Sequence, residues 1–381
     1  MGDSGDMSGR HAFVASVPFT LMEAIHFTLT YDLDADVYIT KSYTDAANVA
    51  ERLKTTKVFK NVYLVENVLL EYPITVKKCI KIVVQGKKLV KELKTRRYDY
   101  GYYNNSGWLI NSIFYTGFIK GNGKCKQRFI EHGFNSMIND YADKPWYMRG
   151  LINLFAFKCM DGSMLEALYL FEPKLLRARH DGEKRVMPKM DRNDDRFRET
   201  VNTVFGYSDK RNEFIDKQVI IMEEGPQKEY YDKSGFWSSI LNILDTSNAI
   251  IKPHPRLKES TLTSKCDIPV CKNSSIPWEV FAMNMNMEEK IQIAMFSSSC
   301  FFPKALFGIE ARVILLYKLL PIGYEFLGKD FLDYTKDIEN LYEDKERFFV
   351  PSNIKELKIY LKKLGLLCTK DDADEDTLSK K

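Results

Sequence analysis

Long apolar runs are missing from this chain. None of its 381 residues lies in an uninterrupted apolar stretch near the roughly twenty needed to cross a bilayer, so no membrane-spanning helix is expected. No signal peptide is legible at the start. An excess of one charge is missing too: 56 basic residues against 52 acidic ones leave a net charge of +4, and there is no long lysine or arginine arm. The electrostatic case for a nucleic-acid partner is therefore weak. Histidine is scarce, at five, with no paired histidines or acidic cluster to hold a metal tightly. A Gly-x-Gly-x-x-Gly for a dinucleotide, a Gly-x-x-x-x-Gly-Lys for a nucleotide phosphate and a Gly-x-Ser-x-Gly elbow for a hydrolase are all lacking. The seven cysteines are scattered and odd in number, and Cys266 and Cys271 are too isolated to suggest zinc. Reduced thiols in a cytosol fit that usage.

What is present points to a globular protein of two domains. The composition is 45% hydrophobic and 13% aromatic, and the length exceeds one ordinary domain. Lysine pairs recur at Lys77-Lys78, Lys87-Lys88 and Lys362-Lys363. They read as solvated helix faces, with a peripheral contact to anionic lipid as the alternative. Met1–Arg10, rich in Gly, Ser and Asp, reads as a disordered end, and the final KDDADEDTLSKK reads as a disordered acidic tail.

Both halves alternate strand and helix patterns. HAFVASVPF reads as a buried strand ending at Pro18, TLMEAIHFTLTY as a helix, ADVYIT as a strand. DAANVAERLKT, KNVYLVE, ITVKKCIKIVVQGKKLVKELKT, GWLINSIFYTGFI and KQRFIEHG continue the alternation. After LEALYLFEP, the polar HDGEKRVMPKMDRNDDRFRET reads as loop or linker, with a domain boundary within 190–216. KQVIIMEEGP, NAIIKPHPR and KIQIAMFSSS are strands of the second half, ARVILLYKLL is a strand or a buried helix, and SNIKELKIYLKKLGLL is a capped helix. The expected class is α/β, with two doubly wound halves. Ligands in such sheets bind outside the carboxyl ends of the strands, and facing domains make a cleft.

Unusual polar residues do follow predicted strand ends. Glu131-His132-Gly133 ends one: the imidazole could take a proton near neutral pH, and the carboxylate could raise its basicity. Gly133 would let a substrate approach the backbone closely. In IIKPHPR, Lys252, His254 and Arg256 sit in a loop stiffened by Pro253 and Pro255, which suits a phosphate leaving group. In MFSSSC, Ser297, Ser298 and Ser299 precede a helix start, an arrangement that can hold an anion. Glu279, in a first helical turn, could grip ribose hydroxyls. Gly225, in the EEGP turn, could admit a nucleotide, and the loop from Ser16 through Pro18 could touch an acceptor. His180 lies in a polar stretch and reads as surface, while His26 reads as packing.

The order of these elements resembles bacterial sialyltransferases of the GT-B fold, with kinship to glycosyltransferase family 52, the lipooligosaccharide sialyltransferases, and to the bacterial polysialyltransferases. An acid-x-Gly element comes first, then His-Pro after a strand, then Ser-Ser, and the opening FVASVPFTLMEAI is similar to the start of that group. The likeness touches residues 11 to 365. It implies two Rossmann-like doubly wound domains facing across a cleft, with a C-terminal helix packing back. Residues 11–205 would form the acceptor side, 206–365 the nucleotide-donor side, and 366–381 the tail. The implied reaction is an inverting transfer without metal or cofactor, from CMP-sialic acid to a hydroxyl of a glycan or lipid-linked glycan, in bacterial capsule or lipooligosaccharide synthesis. His132 would be the base. His254 would bind or protonate the departing CMP phosphate, Ser298 and Ser299, with Ser297, would hold it, and Glu279 would bind the ribose. The family has an acid where this chain has His132. Cell-wall polyol-phosphate polymerases also join a His-Gly element to Lys-Pro-His-Pro, so a UDP-sugar, GDP-sugar or CDP-polyol donor stays open. So does a non-catalytic nucleotide- or glycan-binding protein. A cytoplasmic location, peripheral on the inner face of the membrane, and a homodimer fit the same resemblance.

Overall fold

The computed structural model describes residues 7–43, 45–68, 75–104, 108–131, 133–138, 146–160, 162–178, 180–225, 233–257, 259–262, 267–273 and 275–368. The chain divides into two compact units, Met1–Gly206 and Tyr207–Lys381.

The first unit runs β1 (Arg10–Ala15), α1 (Pro18–Tyr31), β2 (Asp34–Thr40), α2 (Ala46–Thr56), β3 (Asn61–Val65), α3 (Val76–Leu93), β4 (Tyr100–Tyr103) and α4 (Trp108–Gly121). It continues through β5 (Lys126–Ile130), α5 (Gly133–Ile138), α6 (Trp146–Leu154), β6 (Leu165–Leu170), β7 (Glu183–Val186) and α7 (Asp195–Phe205). Its seven strands are parallel in the order β3-β2-β1-β4-β5-β6-β7. Helices cover such a sheet on both faces, so the central strands read as nearly unbroken apolar runs. β1 is buried from His11 to Ala15. The core is aromatic: Phe13 stacks on Tyr102 at 4.3 Å, and Phe27 meets Tyr169 edge-on at 4.7 Å. It also holds a charge. The buried Arg128 guanidinium lies 3.8 Å from the centre of the Tyr100 ring and donates to Glu166 at 2.9 Å and to the Tyr102 hydroxyl at 3.0 Å. Those partners offset the desolvation that an unpaired cation would suffer.

The second unit runs β8 (Val219–Met222), α8 (Lys233–Ile243), β9 (Ala249–Lys252), α9 (Trp278–Met283), β10 (Ile291–Ala294), α10 (Phe302–Phe307), β11 (Arg312–Leu315), α11 (Gly328–Leu341), β12 (Phe348–Phe349) and α12 (Ile354–Lys363). Its five strands are also parallel, in the order β12-β11-β10-β8-β9. Asn353 caps α12 by accepting from the Glu356 N–H, while Glu356 accepts from the Ser352 N–H. The helix packs on its own unit: Tyr360 stacks on Phe349 and accepts from Arg312 at 2.8 Å. The expectation of two doubly wound α/β halves is met by each unit on its own terms.

Several local expectations need correction. The first strand ends at Ala15, because Pro18 lacks an N–H and instead opens α1. Arg10 is no part of a disordered end: it pairs with Asp34 in β1, and its N–H donates to Asp99 at 2.9 Å. The polar segment read as linker contains β7 and the start of α7, which Asp194 caps through the Phe197 N–H. Leu366 and Cys368, assigned above to the tail, bond to the end of α8: the Asp245 N–H donates to Leu366 O, and the Cys368 N–H to Ile243 O. His180 is half-buried and stacks on Phe129 rather than standing on the surface. His26, by contrast, is packed as expected, its Nε2 lying 2.8 Å from Pro188 O. Among the described residues no helix is long and apolar enough to cross a membrane.

Candidate functional site

The second unit gathers most of the residues singled out above at one edge of its sheet. Met222, the last residue of β8, pairs with Lys252 of β9 on one side and with Ala294 of β10 on the other. Glu223-Glu224-Gly225, Pro253-His254 and Met295–Ser299 therefore leave three adjacent strands at the same level. From β8 the chain goes first to β9 and then to β10 on the opposite side. The carboxyl end of β8 is thus the point where strand order reverses, the usual ligand position in an open parallel sheet.

The loop after β9 is built around His254. Its Nδ1 accepts the Arg256 N–H at 3.1 Å, and its carbonyl accepts the Leu257 N–H at 2.9 Å. An accepting Nδ1 leaves the proton of the neutral ring on Nε2, which becomes a donor. The ring lies directly against Gly225: a Cβ on that glycine would sit 3.1 Å from the imidazole Cε1 and Nδ1. The EEGP glycine thus lets a histidine side chain from the neighbouring loop approach more closely than a side chain at 225 would allow without a small shift. Pro255 and the Arg256 side chain point outward and are exposed, so Arg256 acts on His254 through its backbone.

Lys252 and Glu279 are coupled. Burial lowers the pKa of Lys252, and the Glu279 charge opposes that shift most strongly. Burial raises the pKa of Glu279, and its own backbone N–H and Lys252 oppose it. α9 is in turn tied to the serine segment, because Trp278 Nε1 donates to Ser299 O at 3.2 Å. Ser298 and Ser299 open a 3₁₀ turn that leads into α10, with Ser297 before it, and all three are half-exposed. The Ser297 hydroxyl does not cap that turn. The structure therefore brings Gly225, Lys252, His254, Glu279 and Ser299 into one edge of one unit, with Ser297 and Ser298 on the same turn.

Two further carboxylates hold this edge in shape. Buried Glu224 accepts the N–H groups of Met295 at 2.7 Å and Phe296 at 3.3 Å, which fastens the end of β8 to the loop carrying the serines. Buried Glu223 accepts the Thr261 N–H at 2.7 Å and hydroxyl at 2.6 Å through one oxygen. Its other oxygen is buried with no hydrogen-bond partner among the described residues. In the sequence the glycine after these acids stands out as a turn residue, and the acids themselves do not. Two carboxylates directly after an apolar strand were the available signal.

In the first unit, Ser16 and Pro18 follow β1 and Glu131 and Gly133 follow β5, with β4 between these strands. Ser16 is buried. Its carbonyl accepts from the Ser42 hydroxyl, and its own hydroxyl has no hydrogen-bond partner among the described residues. Pro18 is the first residue of α1. Asn104, after β4, donates to Val14 O at 2.8 Å and closes the gap beside β1. Glu131 is buried and accepts the Phe171 N–H at 3.0 Å. Burial pushes its carboxyl up to about 7, although the Phe171 N–H and the more distant Lys189 oppose this. Gly133 begins α5 with φ +60°, a left-handed conformation that favours glycine. His132, the expected base, lies outside the described residues.

No protein-family model matches the chain, and no curated protein does. Solved structures resemble it at low identity. The N-terminal domain of trehalose-6-phosphate phosphatase from Candida albicans is 10% identical over 96% of this chain and 95% of that one, with a TM-score of 0.41. The glycosyltransferase SnogD from Streptomyces nogalater is 9% identical over 93% and 91%, with a TM-score of 0.43. TcCGT1, solved in complex with UDP, is 9% identical over 90% and 86%, with a TM-score of 0.44.

Proposed function

We propose that the chain is a glycosyltransferase whose second unit binds a nucleotide-linked sugar by its phosphate at the carboxyl edge of β8, β9 and β10. The observation that carries this reading is the setting of His254 at the carboxyl edge of β8 and β9: the Arg256 N–H on Nδ1 fixes the tautomer that carries its proton on Nε2, and the ring lies against Gly225. Lys252 adds positive charge, the serine turn adds hydroxyls, and Glu279 supplies an acceptor for ribose hydroxyls. Such preset donors stabilise the negative charge that develops on a departing phosphate.

The donor favoured by the order of sequence elements is CMP-sialic acid, and the acceptor is a glycan hydroxyl. In that reaction His132 takes the acceptor's proton, the freed oxygen bonds to the anomeric carbon, and the bond from that carbon to the phosphate oxygen breaks. CMP leaves with the electron pair, held by His254 and Ser298–Ser299, and one displacement inverts the anomeric centre.

The test joins thermal shift with CMP, CDP, UDP and GDP to turnover with CMP-sialic acid. A shift specific to CMP, lost in His254→Ala, is the expected result. His132→Ala keeps that shift and loses roughly 10²–10⁴-fold in turnover. A specific UDP or GDP shift moves the donor to a hexose, CDP moves it to a polyol, and no shift with any nucleotide overturns the reading.

A further inference from the structure

Helix α3 carries two separate apolar lines. One is buried: Ile82, Gly86, Leu89, Val90 and Leu93 face the core, where Phe157 closes on Gly86 so tightly that a Cβ there would sit 2.4 Å from its ring. The other is outside. Val76, Ile80 and Val84, spaced four residues apart and so aligned along one face, are 77%, 59% and 62% exposed. Single exposed apolar residues are ordinary, but three in register on one helix are not scattered. Lys87 and Lys91 continue this line toward the C-terminus, and Lys77, Lys81 and Lys88 run along its flank, all exposed. The helix holds six lysines against one glutamate, Glu92. Among the described residues none of those five lysines takes part in an ion pair.

We propose that this face of α3 docks on an anionic lipid bilayer, with Val76, Ile80 and Val84 entering the headgroup boundary and the lysines meeting lipid phosphates. A helix lying in the interface needs an apolar line of this kind bordered by cations, and a chain with a net charge of only +4 concentrates them here. The charge sign selects this occupant over a neutral apolar partner. The inference lies wholly in the first unit and does not depend on the identity of the nucleotide.

The experiment is co-sedimentation of the full chain with vesicles of phosphatidylcholine alone and of phosphatidylcholine mixed with phosphatidylglycerol. Binding to the mixed vesicles only, released by added salt, is expected. Val76→Ser/Ile80→Ser/Val84→Ser removes binding. Each lysine neutralised weakens partition about fivefold, so Lys77→Gln/Lys81→Gln/Lys88→Gln loses it almost entirely. All six side chains are exposed, so both variants keep the wild-type circular dichroism and melting temperature. Equal pelleting with both vesicle types, no pelleting, or pelleting that survives both variants overturns the proposal. A lipid-free dimer that the triple serine variant dissolves also overturns it, and makes a second copy of the chain the occupant.

Discussion

Gly225 and His254 form a contact that can be tested with one methyl group. Gly225→Ala would place a Cβ 3.1 Å from the imidazole, so the ring must give by a few tenths of an ångström. The residue follows β8 in a loop, and stability should change by less than about 1 kcal/mol. Transfer should nevertheless fall about tenfold to a hundredfold, because small misplacements of a reacting group are costly. Wild-type turnover in Gly225→Ala would separate His254 from the proposed chemistry. Glu131 tests a different property. Its folded pKa is raised from 4.5 to about 7, so folding disfavours its ionised form. Its ionisation therefore costs no stability below about 4.5, and stability is lost as pH rises from there through about 7. Glu131→Gln can still accept the Phe171 N–H and does not ionise. The variant should gain on wild type between pH 5 and pH 8 by up to roughly 3 kcal/mol, read from urea unfolding at each pH. A constant difference across that range would mean that Glu131 titrates as an ordinary solvated acid.

Glu224 matters because of the elements it joins. It belongs to the end of β8, yet its carboxylate accepts two backbone N–H groups after β10. Glu224→Ala leaves those buried donors without an acceptor and should cost roughly 2–4 kcal/mol. Glu224→Gln keeps an acceptor oxygen and should recover most of it. Hydrogen exchange reads the effect where it arises: Met295 and Phe296 should lose protection in the alanine variant, and unchanged protection there would show that the loop is held by other contacts. No sequence pattern announces such a bridge, since the partners are 71 and 72 residues apart. Lys252, His254 and the serines were legible as positions, because a buried parallel strand is an apolar run and the polar residues at its end stand at the carboxyl edge of the sheet, whereas Glu279 is legible only as a carboxylate in the first turn of α9. Trp278 carries no such signal, since its link to Ser299 exists only in three dimensions. Nor do β4, where Tyr-Gly-Tyr-Tyr is short and edged by turn-forming residues, and β7, an edge strand of three exposed residues and a half-buried Arg185 with no apolar run, stand out in the sequence. α7 was hidden for another reason. Its apolar face of Phe197, Val201, Val204 and Phe205 begins behind a run of charged capping residues.

At the scale of the whole molecule, every residue assigned to the nucleotide lies after Tyr207, and each unit has its own sheet and core. A domain with a separate core can in principle fold alone. Residues 207–381 produced by themselves should therefore unfold cooperatively in urea and retain the thermal shift with CMP, while transferring no sugar, since the proposed base lies in the other unit. Binding stabilises only the folded form, so the shift should rise with nucleotide concentration in proportion to the logarithm of its excess over the dissociation constant. The His254→Ala version of the same fragment should keep the cooperative transition and lose the dependence on CMP. A fragment that unfolds cooperatively but ignores CMP would place nucleotide recognition outside the carboxyl edge of β8, β9 and β10. The full chain's response to CMP would then have to come from residues before Tyr207, and Lys252, His254 and Glu279 would be left as parts of a packed strand edge.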